Sequence, residues 1–124
     1  MAGFRTQGLD HIAITVADLD RSERFYAERL GLERIHPEWD PPRILAWEES
    51  GVALFPAEEE DGAPPAPSHL NHIAFRVDRT AFEAAQAELS AAEIEFSFSD
   101  HGSAHSIYFT DPDGYRLELT TYEV

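Results

Sequence analysis

Leu9-Asp10-His11-Ile12-Ala13 returns, with one residue changed, as Leu70-Asn71-His72-Ile73-Ala74. The two histidines stand 61 positions apart, and Val16 and Val77 extend the match in the same register. Self-similarity at a fixed offset implies two copies of one supersecondary unit. Each copy opens with a strand that carries a histidine, and two equivalent histidines on duplicated strands can build a metal site near a symmetry axis.

The spacing around the first copy predicts a strand from Leu9 to Val16. Leu9, His11, Ala13 and Thr15 share one face, and Ile12, Ile14 and Val16 share the other. The aliphatic face should pack under a helix, leaving the small, mixed histidine face to line a cavity. A helix follows, with Asp20 and Glu23 spaced as a capping box, Phe25, Tyr26 and Leu30 as its apolar stripe, and Gly31 beyond its end. Apolar segments at Ile44–Trp47 and Val52–Phe55, parted by Glu49-Ser50-Gly51, read as a hairpin.

Residues 57–68 are acidic and proline-rich, which predicts an exposed linker between the copies. The second copy repeats the order: a strand from Leu70 to Val77, a helix opened by Thr80 and Glu83 with Phe82, Ala85 and Leu89 on one stripe, and strands near Ile94–Phe98, Ser106–Thr110 and Tyr115–Tyr122. Asp111-Pro112-Asp113-Gly114 has the composition of a tight turn. The expected fold class is therefore α+β. Two βαβββ modules (8–56 and 69–122, joined by linker 57–68) form one domain over residues 1–124, a cup-shaped mixed sheet around a metal site.

Composition narrows the chemistry. The chain has 124 residues, 43% hydrophobic and 27% charged, with a formal net charge of −15. All nine basic residues are arginines, and there is no cysteine. Nucleic acid and anionic membrane surfaces are disfavoured as partners, because their binding rests on cations that neutralise phosphates. Without lysine there is neither Schiff-base chemistry nor a P-loop. Without cysteine there is no disulfide, thiolate ligand or thiol nucleophile. No apolar run reaches the roughly 20 residues that span a bilayer, and Met1-Ala2-Gly3-Phe4-Arg5 opens no signal sequence; the cytoplasm is the expected location.

His11, His72 and Glu118 each fall on a strand face turned away from the aliphatic stripe. Two histidines and one carboxylate bind a divalent metal and leave coordination positions open. Such a site suits a small-molecule substrate that chelates through two adjacent oxygens.

With these residues in place, the chain resembles the vicinal oxygen chelate superfamily, which includes glyoxalase I, bleomycin resistance proteins, extradiol dioxygenases and fosfomycin resistance enzymes. The likeness runs from residue 8 to 122. It rests on the two histidine pentads, on Arg24-Phe25-Tyr26 and Leu30-Gly31-Leu32, and on Tyr108-Phe109-Thr110-Asp111-Pro112-Asp113-Gly114-Tyr115-Arg116-Leu117-Glu118. It implies paired βαβββ modules, His11, His72 and Glu118 as metal ligands, and a homodimer. The metal would be Fe(II) or Mn(II), with Zn or Ni accepted by the same donors.

Among the branches, glyoxalase I would need a further carboxylate late in the first module. Counting from Gly51 reaches Phe55, or Leu54 after a slip of one, and neither binds metal. Fosfomycin enzymes hold a phosphonate with basic residues, some beyond the last ligand, which an acidic, lysine-free chain ending six residues after Glu118 does not match. Bleomycin resistance proteins sequester a cationic drug without metal, leaving a metal-free small-molecule-binding protein as one alternative and a glyoxalase I-like lyase or isomerase, though disfavoured, as the other. The extradiol dioxygenase signature is reproduced by His101, Ile107-Tyr108, Asp111-Pro112, Gly114 and Glu118. By that resemblance the expected function is a single-domain ring-cleaving dioxygenase with His101 and Tyr108 as catalytic groups. The further catalytic histidine of those enzymes lies some way before the second metal histidine, where this chain has its acidic linker; only His69 is close, three residues from His72 rather than further upstream. His36 and His105 read as surface or pocket-lining residues, and Trp39 and Trp47 as core or cavity wall.

Overall fold

A computed structural model describes residue 3, residues 5–57 and residues 70–124. Most of the expected linker, 58–68, and His69 lie outside the described residues. The chain divides between residues 57 and 70 into two compact units.

The N-terminal unit runs β1 (His11–Val16), α1 (Leu19–Leu30), β2 (Glu33–Ile35), β3 (Arg43–Trp47) and β4 (Ser50–Pro56). Its sheet has the order β1-β4-β3-β2, with β1 parallel to β4 and the other pairs antiparallel. The C-terminal unit repeats this as β5 (Ile73–Arg76), α2 (Arg79–Ala91), β6 (Ser97–Asp100), β7 (His105–Thr110) and β8 (Arg116–Thr121), in the order β5-β8-β7-β6. Two βαβββ modules are thus present, as the repeat implied. The short strand β2 has no counterpart among the expected elements, because Glu33-Arg34-Ile35 is too brief for alternation to register.

Period-two alternation decides what each sheet buries. In the first unit Ile14, Val16, Leu45, Val52 and Leu54 are buried on the face that meets α1, which contributes the fully buried Tyr26. In the second, Ile107, Phe109, Leu117 and Leu119 are buried with Phe82 and Leu89 of α2. Each fully buried large apolar side chain contributes roughly 1.5–3 kcal/mol.

Both helix starts differ from the expected capping boxes. The N-caps are Asp18, whose carboxylate accepts from Arg21 N–H at 3.1 Å, and Asp78, which accepts from Ala81 N–H at 2.8 Å. Neither has Glu or Gln at the third helical position, so the capping-box spacing singled out a later pair in each module. Helix α1 ends as expected: Gly31, at φ 69°, takes the left-handed corner and donates to the last turn.

The strands bearing the histidines start later than alternation implied. His11 is the first residue of β1, and His72 precedes β5. Each imidazole therefore stands at the mouth of its sheet rather than in mid-strand. The shift of β6 to Ser97–Asp100 likewise puts His101 just beyond that strand.

Candidate metal centre

The Asp111–Gly114 turn sets the register on which the C-terminal site depends. Asp111 Oδ1 accepts from Asp113 N–H and Tyr115 N–H at 2.9 and 2.8 Å, Gly114 N–H reaches Asp111 O at 3.0 Å, and Gly114 adopts φ 90°. A side chain at Gly114 would be strained in that conformation. With the turn fixed, β7 and β8 pair so that Tyr108 opposes Glu118, and β5 places Ala74 on Glu118's other side. One sheet face thus carries Ser97, Tyr108, Glu118 and Ala74 across its strands, beside Ser106 and Thr120.

His72 reaches this face from the entrance to β5. Its Nε2 lies 2.9 Å from Glu118 Oε1, and its Nδ1 lies 2.6 Å from Asn71 Oδ1. The amide oxygen only accepts, so Nδ1 carries the proton and Nε2 is left with its lone pair. A lone pair 2.9 Å from a carboxylate oxygen needs positive charge between or upon the two groups. A second proton on the imidazole provides it, and so does a bound cation. Ser106, fully buried, donates to Glu118 Oε2 at 2.6 Å and shares a 3.1 Å hydrogen bond with Thr120 Oγ1. One carboxylate oxygen is therefore held from behind while the other is presented to His72, the usual arrangement of a metal ligand and its supporting shell.

His101 and Tyr108 adjoin this pair. His101 Nε2 is 3.1 Å from Tyr108 Oη, and the Tyr108 ring meets the His72 ring edge to face at 6.1 Å. His101 is aimed by its own loop: its N–H donates to Ala104 O at 2.8 Å, while Asp100 Oδ1 accepts from Gly102 N–H at 2.8 Å. Arg116 lays its guanidinium over the Tyr108 ring, 4.3 Å from its centre, and lines with Asn71 and His72 a cavity of about 170 Å³.

His11 lies in the N-terminal unit. Its Nδ1 is 2.8 Å from Asp10 Oδ2, so Nε2 is the nitrogen outside that contact. The residue before each repeated histidine thus serves as its orienting acceptor. Asp10, Asn71 and Ser106 had no role in the sequence reading, although the recurrent Asp/Asn-His pair and a serine in β7's inward register were its visible signals. Among the described residues, no group of three His, Cys, Asp or Glu side chains stands together as a metal cluster. The C-terminal unit offers two donors and the N-terminal unit one. In chemistry the C-terminal pair, an imidazole nitrogen beside a braced carboxylate, suits a divalent ion.

Strand pairing also corrects the position equivalent to Glu118. Glu118 opposes Ala74, two residues beyond His72; Ala13, two beyond His11, opposes Ala53. The first-module counterpart is Ala53, not Phe55 or Leu54, because the β3–β4 and β7–β8 turns differ in length. It is still not a ligand. His36 and His105 have partners of their own. His36 stacks on Trp39 and lines a cavity, whereas His105 Nδ1 pairs with Arg79 at 2.9 Å. Trp39 and Trp47 are both substantially exposed.

Residues 8–119 match the model of the Glyoxalase/Bleomycin resistance protein/Dioxygenase superfamily. The chain is 34% identical over 113 residues to glutathione transferase FosA of Serratia marcescens, covering 91% of this chain and 79% of the relative. It is 32% identical to metallothiol transferase FosB of Staphylococcus epidermidis, over 93% and 84% of the two chains. The solved structure of the fosfomycin resistance protein FosX from Mesorhizobium loti superposes with a TM-score of 0.73 at 23% identity, covering 94% and 93%, and shares the fold. These likenesses run to the branch that overall acidity set aside. Net charge describes the solvated surface, whereas Arg116 and Arg76 lie on the same strand face as Glu118. The ring-cleaving dioxygenase expected from His101 and Tyr108 draws no support from these relatives.

Proposed function

The chain belongs to the glyoxalase/bleomycin resistance protein/dioxygenase superfamily, and on that premise we propose that it is a metal-dependent enzyme transferring a nucleophile to a small molecule held through adjacent oxygens. The names of its transferase relatives make a thiol the first nucleophile to test. The observation that carries the reading is the 2.9 Å approach of His72 Nε2 to Glu118 Oε1, backed by Asn71 and Ser106. His11 supplies the third ligand, from the same chain or from a second copy in a homodimer. Mn(II) or Fe(II) suits the mixed donors best, and Zn or Ni is accepted by the same set.

A divalent ion held by His72, Glu118 and His11 would supply Lewis acidity toward a substrate oxygen. Ser106 keeps the Glu118 carboxylate from rotating, and Asn71 keeps the His72 proton on Nδ1. Tyr108 would give its hydroxyl proton to the oxygen that gains charge, His101 Nε2, 3.1 Å away, would replace it, and the proton shed by the attacking thiol would restore His101. Proton transfer by a positioned group is typically worth about 10²–10⁴ in rate. Arg116, stacked on Tyr108, adds a positive charge that favours an anionic substrate oxygen.

The same His101–Tyr108 contact favours a second reading, the ring-cleaving dioxygenase, in which O₂ is consumed with a catechol. Metal analysis and two assays separate the alternatives. The expected result is about one metal per chain, lost in His72→Ala, with thiol consumption in the presence of an electrophile panel and no oxygen uptake with catechols. His101→Phe should retain metal and lose about 100-fold in turnover. Protein that takes up no metal, as purified or after reconstitution, overturns the enzyme and leaves a metal-free binding protein.

A further inference from the structure

We propose that a cavity of the N-terminal unit, beside His11, recognises a flat, cationic aromatic group on the substrate. The cavity has a volume of about 230 Å³. Ile44 and Ala46 of β3 and Ile35 of β2 make it apolar, and His36 and Trp39 give it an aromatic wall. Those two rings stack at 4.2 Å with planes 21° apart. Asp10, Glu48 and Glu49 also line it, and no arginine does so among the described residues.

The wall is built rather than incidental. Trp39 is 44% exposed and so contributes little to the core, yet its backbone is tied down from two directions. Its N–H closes a turn on His36 O at 2.9 Å, and its carbonyl accepts from Arg34 at 3.0 Å. Arg34 also donates to Glu23 of α1 at 3.0 Å. Arg43 then binds Asp40, one residue after Trp39, together with Asp20 and Glu23 of α1. His36 holds φ 51°, a conformation few side chains favour, and its imidazole lies against the indole. An exposed, pre-positioned indole face attracts cations through its ring quadrupole. Three neighbouring carboxylates strengthen that attraction and reject anions of the same shape, an effect that salt screens over about 8 Å.

The inference rests on the proposed function only in placing the recognised group beside a metal-bound substrate. It is tested with N-methylquinolinium as the cationic probe and 2-naphthalenesulfonate as an anion of similar shape. In a Trp47→Phe background Trp39 is the sole tryptophan, and N-methylquinolinium should quench it saturably at one probe per chain. The sulfonate should give no saturable quenching. By calorimetry Trp39→Leu should weaken N-methylquinolinium at least tenfold, while Trp39→Phe retains part of the affinity. Glu48→Gln with Glu49→Gln should weaken it severalfold and remove most of its salt dependence. Equal binding of the two probes, or unchanged binding in Trp39→Leu, overturns the proposal. His72→Ala distinguishes the two readings: it should lose metal and still bind the probe. Probe binding by protein that never takes up metal overturns the metal centre alone, and metal uptake without probe binding overturns this pocket alone.

Discussion

In the first module Ala13 opposes Ala53, Ala53 opposes Ile44, and Ile44 opposes Ile35. At the same crossings of the second module, Ala74 opposes Glu118, Glu118 opposes Tyr108, and Tyr108 opposes Ser97. The backbone grid is duplicated, but the side chains on it have diverged in kind. The second module carries a carboxylate, a phenol and a hydroxyl, all able to accept or donate. The first carries methyl and isoleucine groups, which can only exclude water and fill space. Of the side chains that can bind or transfer protons, the histidine is retained in both, with Asp10 replaced by Asn71 as its orienting neighbour. A duplicated sheet can therefore divide the work, with proton and charge handling on one copy and shape recognition on the other.

The largest expected effect tests whether both histidines serve one centre. His11→Ala and His72→Ala should each lose stoichiometric metal, at least 100-fold in affinity. Mixing the two variants by refolding together then sharpens the comparison. If each site draws His11 from the partner copy, the mixed dimer contains one intact site and recovers about half of its metal. If each site is built within one chain, the mixture recovers none. Retention of metal by His11→Ala would confine the centre to the second module.

The next effect is on stability. Ala53→Glu installs in the first module the carboxylate that the second module has. Ala53 is buried, faces Ile44, and has no serine behind it, whereas Glu118 has Ser106. Burying an acceptor without a donor should cost about 1–3 kcal/mol, read as a fall in the denaturant midpoint. An unchanged midpoint would mean that the first module can host a carboxylate after all, and that its apolar face is not what distinguishes it. Ser106→Ala should be milder in another observable, weakening metal about tenfold by freeing Glu118 Oε2 while the fold persists.

The repeat in the sequence was enough to read the architecture, because a fixed offset survives errors in each element. The approach of His72 to Glu118 was legible for a different reason: alternation and the Asp-Pro-Asp-Gly turn direct both toward one face. Register was less legible. Counting from Gly51 missed Ala53, since a count along the chain carries no information on how many residues a turn consumes. Helix starts failed alike in both modules, where Asp18 and Asp78 cap without the partner that makes a capping box recognisable. The branch of the family was the least legible feature. Overall charge sums a surface that water screens, while Arg116 lines the same cavity as His72. Ser106 escaped notice because a buried hydroxyl is distinguished by its partner, Glu118, which is twelve residues away in sequence and adjacent only across the sheet.

The smallest effect concerns how the first module holds its aromatic wall. Arg43 hydrogen-bonds Asp20 at 2.7 Å, and that bond, then the guanidinium's charge, holds the Asp20 carboxyl below its ordinary value of 3.8. Arg43 is correspondingly raised, first by Asp20 and then by Asp40. A carboxylate whose folded value is depressed contributes stability that is present in full above its unfolded value. That contribution disappears as the pH falls through the folded one. Asp20 is exposed, so water and salt screen the pair and its effect is slight. Asp20→Asn should therefore melt slightly below the parent at pH 6, with the gap closing as the pH drops below 3.8 and the parent's own carboxylate takes up its proton. Emission from Trp39 in the Trp47→Phe background should follow the same course if the Arg43 contacts hold the wall in place. No gap at pH 6, or one that does not change on acidification, would mean that Arg43 is anchored by Asp40 and Glu23 alone, and that the first module's wall does not depend on this charge.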